Sequence, residues 1–231
     1  RQFLVFLSYC YGAVRVSALA KHKVLFVFTH DSFFVGEDGP THQPIECLTL
    51  LRNITNLLVF RPADDQETIG CYNEALLYNG PSAMILSRQS LPLLNKRTSL
   101  LVDSIKQGGY FIYTPKNQSK VILLATGSEV HLCLEIAKQF KNMAVFSMPC
   151  LELWEKQDQK YKDRLLKSEV KIYSVEASVN KDFTHICHGS IGVRNFGESA
   201  PAGDLQKHFE FTKEDITKKI LLLEHLKLEF I

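Results

Sequence analysis

Residues Lys23 to Glu46 read KVLFVFTHDSFFVGEDGPTHQPIE. Lys23 to Phe28 form an apolar run that predicts a buried strand. From Thr29 the chain turns polar and glycine-rich, with His30, Asp31, Glu37, Asp38 and His42 set around Gly36, Gly39 and Pro40. A strand running into such a loop delivers polar side chains to the carboxyl edge of a sheet. Open α/β sheets bind their ligands at that edge. Gly36 and Gly39 permit sharp bends, and Pro40 fixes φ after the second. A loop of this kind can gather two imidazoles and a carboxylate around one small polar ligand. Imidazole donates to hydroxyl or phosphate oxygens, and Asp38 accepts from a hydroxyl. The competing reading is a loop whose His and Asp side chains satisfy only backbone groups.

Outward from this stretch, strand-like and helix-like patterns alternate. Phe3 to Leu19 is apolar with small residues and suits a helix packed close to a sheet. Gln43 to Leu51 predicts a short helix with Pro44 in its first turn. Asn56 to Phe60 predicts a strand. Asp64 or Asp65 caps a helix reaching about Tyr78, with Glu67 in its first turn, and Ser82 to Ser87 is the next strand. Arg88 to about Gly109 loses all period and predicts a connector. The alternation then restarts. Gly109 to Tyr113 predicts an edge strand, Lys120 to Ala125 a strand, and Val130 to Lys141 a helix. Met143 to Met148 follows as a strand, Pro149 to Gln157 as a loop or short helix, Gln159 to Lys167 as a helix and Val170 to Glu176 as a strand. Gly189 to Gly203 reads as a loop, and Lys213 to about Leu228 as an amphipathic helix capped by Thr212. Repeated βα units predict an α/β protein of two domains with mostly parallel sheets flanked by helices. The expected division is 1–90, a connector over 91–108, and 109–231.

Composition narrows the function classes. A net charge of +2 with Lys and Arg spread along the chain lacks the basic stripe of a nucleic-acid binder. No apolar run approaches the roughly 20 residues that span a bilayer. Six scattered cysteines without a C-x-x-C pair read as reduced thiols of an intracellular protein. The chain begins at Arg1 in what reads as the middle of an element, which predicts a piece of something longer.

Other residues carry two readings each. Phe3, Phe6 and Tyr9 recur every three positions, as a helix core does or as an aromatic pocket for a flat ring does. Arg88 follows the strand Ser82–Ser87, where its fork suits a phosphate, or a surface ion pair. Arg61 follows the preceding strand and reads as structural. Thr126-Gly127-Ser128-Glu129 reads as an ordinary helix start in preference to an anion site. His185-x-x-His188 lacks the partners of a metal site, and no metal ligand is assigned.

The stretch HKVLFVFTHDSFFVGEDGPTHQPIE closely resembles the pyrimidine-binding domain of transketolases. FLVFLSYCYGAVRVSALA, VFRPADDQE and MILSRQSLP resemble its neighbouring segments. ATGSEV, SVEAS and FGESAPA resemble the C-terminal domain of the same family, so the resemblance covers essentially the whole chain. It implies a thiamine-diphosphate-enzyme fold of the pyrimidine-domain type, lacking its beginning, followed by the family's C-terminal domain. It also implies transfer of a two-carbon ketol unit between sugar phosphates in the pentose phosphate pathway, with thiamine diphosphate. Phe3, Phe6 and Tyr9 match the aromatic cluster around the cofactor's aminopyrimidine ring. His30 and Arg88 match residues that hold the substrate phosphate. Asp38 matches one that bonds a substrate hydroxyl, and His42 one in the substrate channel.

The family's catalytic glutamate and its diphosphate-binding domain, with the Mg or Ca site, are expected upstream of Arg1. No catalytic residue is therefore expected here, and the isolated chain is expected to be inactive. The resemblance further implies a homodimer, with an apolar dimer face around residues 1–45, and a cytoplasmic or plastid location. Phe34 stands where the family commonly has a small residue, and NKDFTHICHGSIG departs from the family pattern after SVEAS. Two alternatives remain: the relative that makes deoxyxylulose phosphate from pyruvate, and a non-catalytic, transketolase-derived binding or regulatory chain.

Overall fold

A computed structural model describes residues 2–94 and 103–224. Its first sheet has the order β1-β2-β4-β3, built from Gln2–Phe3, Leu25–Thr29, Ser82–Leu86 and Leu58–Phe60, with every pair parallel. Its second has the order β5-β7-β6-β8-β9, from Tyr110–Tyr113, Met143–Ser147, Val121–Ala125, Lys171–Val175 and Gly189–Ile191. Only β5, at the edge, runs antiparallel. Parallel neighbours need long crossovers, and helices supply them. Strands covered on both faces are continuously apolar, which is why Val121–Ala125 and Met143–Ser147 are buried at every position.

Local chemistry sets many of the boundaries. The helix α3, Asp65–Leu77, starts where Asp64 accepts a hydrogen bond from the Glu67 backbone N–H at 2.8 Å. Thr212 caps Lys213–Glu224, its Oγ1 accepting from Asp215 N at 3.2 Å. The expected continuation of that helix to Leu228 and the middle of the expected connector fall outside the described residues.

Several expectations need correction. Phe3 ends strand β1, and Leu4–Phe6 is a 3-10 turn ahead of α1, Leu7–Leu19. Helix α2 is Cys47–Arg52, with Pro44 ahead of it. The stretch Gly189–Gly203 contains β9, which pairs with β8 from Tyr173↔Gly189 to Val175↔Ile191.

The two sheets share their packing. Phe33, Ile45 and Ala63 from the first half are buried in the core of the second sheet. Tyr110 and Cys150 of the second half lie in one cluster with Phe60 and Met84 of the first. Buried charge crosses the same boundary. The Arg61 side chain, 1% exposed, makes ion pairs with Asp31, at 2.7 Å, and with Glu129, and donates to Thr126 O at 2.8 Å. Arg52 reaches Glu176 at 2.7 Å and Asp182 at 2.8 Å. Arg61 is thus structural, as its place in the sequence suggests.

Candidate functional site at the first sheet's carboxyl edge

Three adjacent parallel strands end together. Phe3 closes β1 opposite Thr29, and Thr29 closes β2 opposite Leu86 of β4. His30 is therefore one residue past the edge and Arg88 two residues past it on the neighbouring strand. Arg88 is exposed and makes no hydrogen bond or ion pair among the described residues, which leaves its guanidinium available to an anion.

The aromatic residues form a continuous array at this edge. The His30 imidazole stacks on Phe3 with ring centroids 3.6 Å apart and planes at 14°. Phe3 and Phe6 are 6.1 Å apart at 19°, and Phe6 and Tyr9 are 5.9 Å apart at 44°. His42 meets Phe6 edge-on at 5.5 Å and 82°. Phe3 and Phe6 are half-buried and Tyr9 is 86% exposed. The three residues are therefore not a helix core: the break in conformation at Phe3–Phe6 turns them outward. Rings offered on a surface suit a flat aromatic ligand. This fits the aminopyrimidine ring that the resemblance implies. Among the described residues no group of three or more His, Cys, Asp or Glu is placed to hold a metal ion.

The loop after β2 is bent and fastened. His30 has φ 60°, an uncommon conformation for a non-glycine residue, and its Nδ1 lies 3.1 Å from Thr29 Oγ1. Asp31, next in sequence, is buried against Arg61, whose Nε donates to it at 2.9 Å. Gly36 and Gly39 adopt φ 85° and 77°, as the sequence predicts for sharp bends. Asp38 is exposed beyond the first of these bends. His42 is half-buried, with Nδ1 3.0 Å from Thr41 Oγ1. Phe34 turns away from this edge. It lies 4.4 Å from Phe33 and packs on the second sheet's core.

The sequence reading missed the second half's part in this loop. Gln43 donates to Gly36 O and to Glu198 O, each at 2.9 Å, and accepts from Glu198 N at 3.2 Å. Ser199 Oγ donates to Glu37 O at 2.6 Å. No local signal marks these contacts, because the partners stand about 155 residues apart.

The turn after β6 is a helix start, as its sequence suggests, and it also packs against a buried cation. Gly127, at φ 55°, sits under Arg61, and a Cβ there would come 2.8 Å from the guanidinium carbon. The turn receives a cation of the protein itself, and Glu129 opens the helix Glu129–Ala137. His185 pairs with Glu155 at 3.2 Å, and His188 Nδ1 accepts from Ile172 N at 3.2 Å.

Electrostatics divide the buried carboxyls. Burial pushes the Glu176 carboxyl up, but Arg52 and then Arg61 outweigh it and hold it down at about 2. Burial dominates at Glu129 and raises it against the pull of Arg61. Burial likewise raises Glu67, where Ser147 and Tyr110 donate at 2.6 and 2.5 Å. The six cysteines are free, and burial raises the Cys47 and Cys187 thiols to about 12.

Two family models match the chain. Residues 1–93 match the model of the transketolase pyrimidine-binding domain, and residues 108–212 that of the transketolase-like C-terminal domain. The chain belongs to the transketolase family. It is 43% identical over 231 residues to the transketolase of Buchnera aphidicola from Acyrthosiphon pisum, covering 96% of this chain and 34% of that protein. The transketolase crystal structure from Campylobacter jejuni superposes with a TM-score of 0.88 at 44% identity, over 95% of this chain and 34% of that one. A split-gene transketolase, described as an inactive β4 tetramer, shares the fold with a TM-score of 0.76 at 21% identity, over 96% of this chain and 76% of that one. The chain spans about a third of the length of the curated relatives it matches.

Proposed function

We propose that this chain supplies the pyrimidine-side wall and the substrate loop of an enzyme that transfers a two-carbon ketol unit between ketose and aldose sugar phosphates. The observation that carries the proposal is the convergence of Phe3, His30 and Arg88 at the ends of three adjacent parallel strands, with His42 reaching the same rings through Phe6. Phe3, Phe6 and Tyr9 hold the aminopyrimidine ring of thiamine diphosphate by stacking and edge contacts. When bound, that cofactor supplies the ring carbon that takes up and releases the ketol unit.

His30 and Arg88 bind the substrate phosphate, Arg88 through its paired N–H groups. Asp38 accepts from a substrate hydroxyl, and its exposure beyond Gly36 leaves both oxygens free to do so. His42 orients the sugar chain in the channel. The proposed domains are 1–90 and 109–231, joined by 91–108. The chain on its own turns over no substrate, since it contributes one wall of the site, and the divalent cation is held elsewhere in the assembly. A homodimer in the cytoplasm covers the exposed face that Tyr9, Val16 and Leu19 present on α1. The orientation of Phe34 toward the second sheet supports a substrate loop of ordinary width and takes away one of the two features that favour a non-catalytic chain, the other being the expected absence of the first half.

The test is a coupled assay of ketol transfer between pentose phosphates in the presence of thiamine diphosphate, with the longer protein and with residues 1–231 alone. Turnover is expected only from the longer protein. Pyruvate consumption in place of pentose phosphate consumption would overturn the assignment of reaction.

A further inference from the structure

The loop that carries Asp38 and His42 is closed by one side chain. Gln43 is 2% exposed, and its amide is committed at both ends. Both of its N–H groups are used, one across the loop's base to Gly36 O and one to Glu198 O, and its oxygen accepts from Glu198 N. A primary amide held this way has one orientation. Gly197 makes room for it: a Cβ there would lie 2.5 Å from Gln43 Cδ, in overlap with the amide. The loop's far side is held as well, because Ser199 Oγ donates to Glu37 O. Inside the loop the backbone makes the turn bonds Gly39 N to Gly36 O and His42 N to Gly39 O, each 3.0 Å, neither of which involves Asp38. The spacing of Asp38 and His42 therefore depends on contacts made by residues 197–199.

We propose that Gln43 is a positioning residue, and that the segment 197–199 braces the loop so that Asp38 and His42 present a fixed pair of groups to the sugar-phosphate chain. The proposal rests on the function proposed above. It assigns the C-terminal half a direct part in substrate geometry, although none of the residues proposed to touch substrate belongs to that half. An apolar isostere at 43 takes the amide partner from the Glu198 C=O and N–H and leaves Gly36 O only its turn bond from Gly39 N, and the loop loses its closure.

Two variants separate the brace from general stability. Gly197→Ala needs no unusual backbone and pushes first on the Gln43 side chain, whose Oε1, Cδ and Cβ are the nearest atoms. Gln43→Met keeps the volume and removes the bonds. Amide hydrogen exchange on residues 1–231 reads the brace without any ligand: exchange over residues 37–42 is expected to rise about tenfold or more, with residues 121–125 unchanged. In the longer protein the KM for sugar phosphate is expected to rise about tenfold, with kcat within about threefold and the KM for thiamine diphosphate unchanged. Unchanged loop exchange in both variants overturns the brace. Faster exchange with an unchanged sugar-phosphate KM overturns the positioning role. Should either variant fail to fold, Ser199→Ala, at an exposed residue, removes the Glu37 contact alone and is read the same way. Absence of ketol transfer in the unsubstituted longer protein overturns the proposed reaction and leaves the exchange result to decide the brace.

Discussion

The imidazole of His30 lies almost parallel to the Phe3 ring, 3.6 Å from centroid to centroid. A side chain proposed to bind phosphate thus rests on one proposed to bind the cofactor ring. The contact also props a residue whose backbone φ of 60° is itself unfavourable. Replacing Phe3 by Leu removes the stack, worth about 1 kcal/mol. The KM for sugar phosphate in the longer protein is expected to rise by about fivefold, and that for thiamine diphosphate to rise with it. An effect on the cofactor alone would separate the two sites.

Arg88 supports the opposite kind of prediction. It is exposed and unpaired among the described residues, so Arg88→Ala leaves the urea midpoint of residues 1–231 unchanged within about 0.5 kcal/mol. The same change is expected to weaken sugar-phosphate binding by more than tenfold, through loss of a charge-assisted fork worth about 1.5–3 kcal/mol. Equal loss with an unphosphorylated sugar would show that Arg88 does not read the phosphate.

Arg61 is the buried counterpart. Its guanidinium is held by Asp31, Glu129 and Thr126, all within the interior. Arg61→Ala leaves two buried carboxylates without their cation and is expected to cost about 3–5 kcal/mol. Arg61→Lys restores only part of this, since an ammonium cannot span the same set of acceptors. Urea unfolding followed by Trp154 fluorescence measures both. Full stability in the Ala variant would show that the pairs contribute nothing net.

The ion pairs of Glu176 give a pH dependence with a definite sign. Its folded-state value, about 2, lies below the 4.5 of an ordinary glutamate. The contribution to stability is therefore complete above about pH 4.5 and is lost as pH falls toward 2, on the order of 3 kcal/mol. Glu67 is raised by burial and works in the other sense, destabilising as it ionises. Glu176→Gln is expected to be less stable at pH 7 and to show a flatter acid limb between pH 4.5 and 2. An acid limb as steep as that of the unsubstituted chain would place the titrating group elsewhere.

Features written within a few residues were legible in the sequence. Asp64 three positions before Glu67 announces a helix start, and the structure has that bond. Val121–Ala125 announces a buried parallel strand, and Gly36 with Gly39 announces a sharply bent loop. Strand β9 was not legible: its three residues include Gly189, and its only strand signal is the partner β8. The helix-core reading of Phe3, Phe6 and Tyr9 fails because a three-residue recurrence does not disclose the change from strand to 3-10 turn to helix. Gln43 and Arg61 carried no signal of their contacts, because Glu198 stands 155 residues from Gln43, and the partners of Arg61 stand 30 to 68 residues from it.

Gly127 takes Arg61 at the carboxyl end of β6, the part of an open sheet where ligands otherwise enter. One consequence concerns the exchange of halves between relatives. A chimera joined near residue 109 has to import Arg61 with an acceptor at 129, Arg52 with those at 176 and 182, and Gln43 with a glycine at 197. Halves taken from parents that differ at these positions will mate poorly even where each folds well, so the two are inherited as one part.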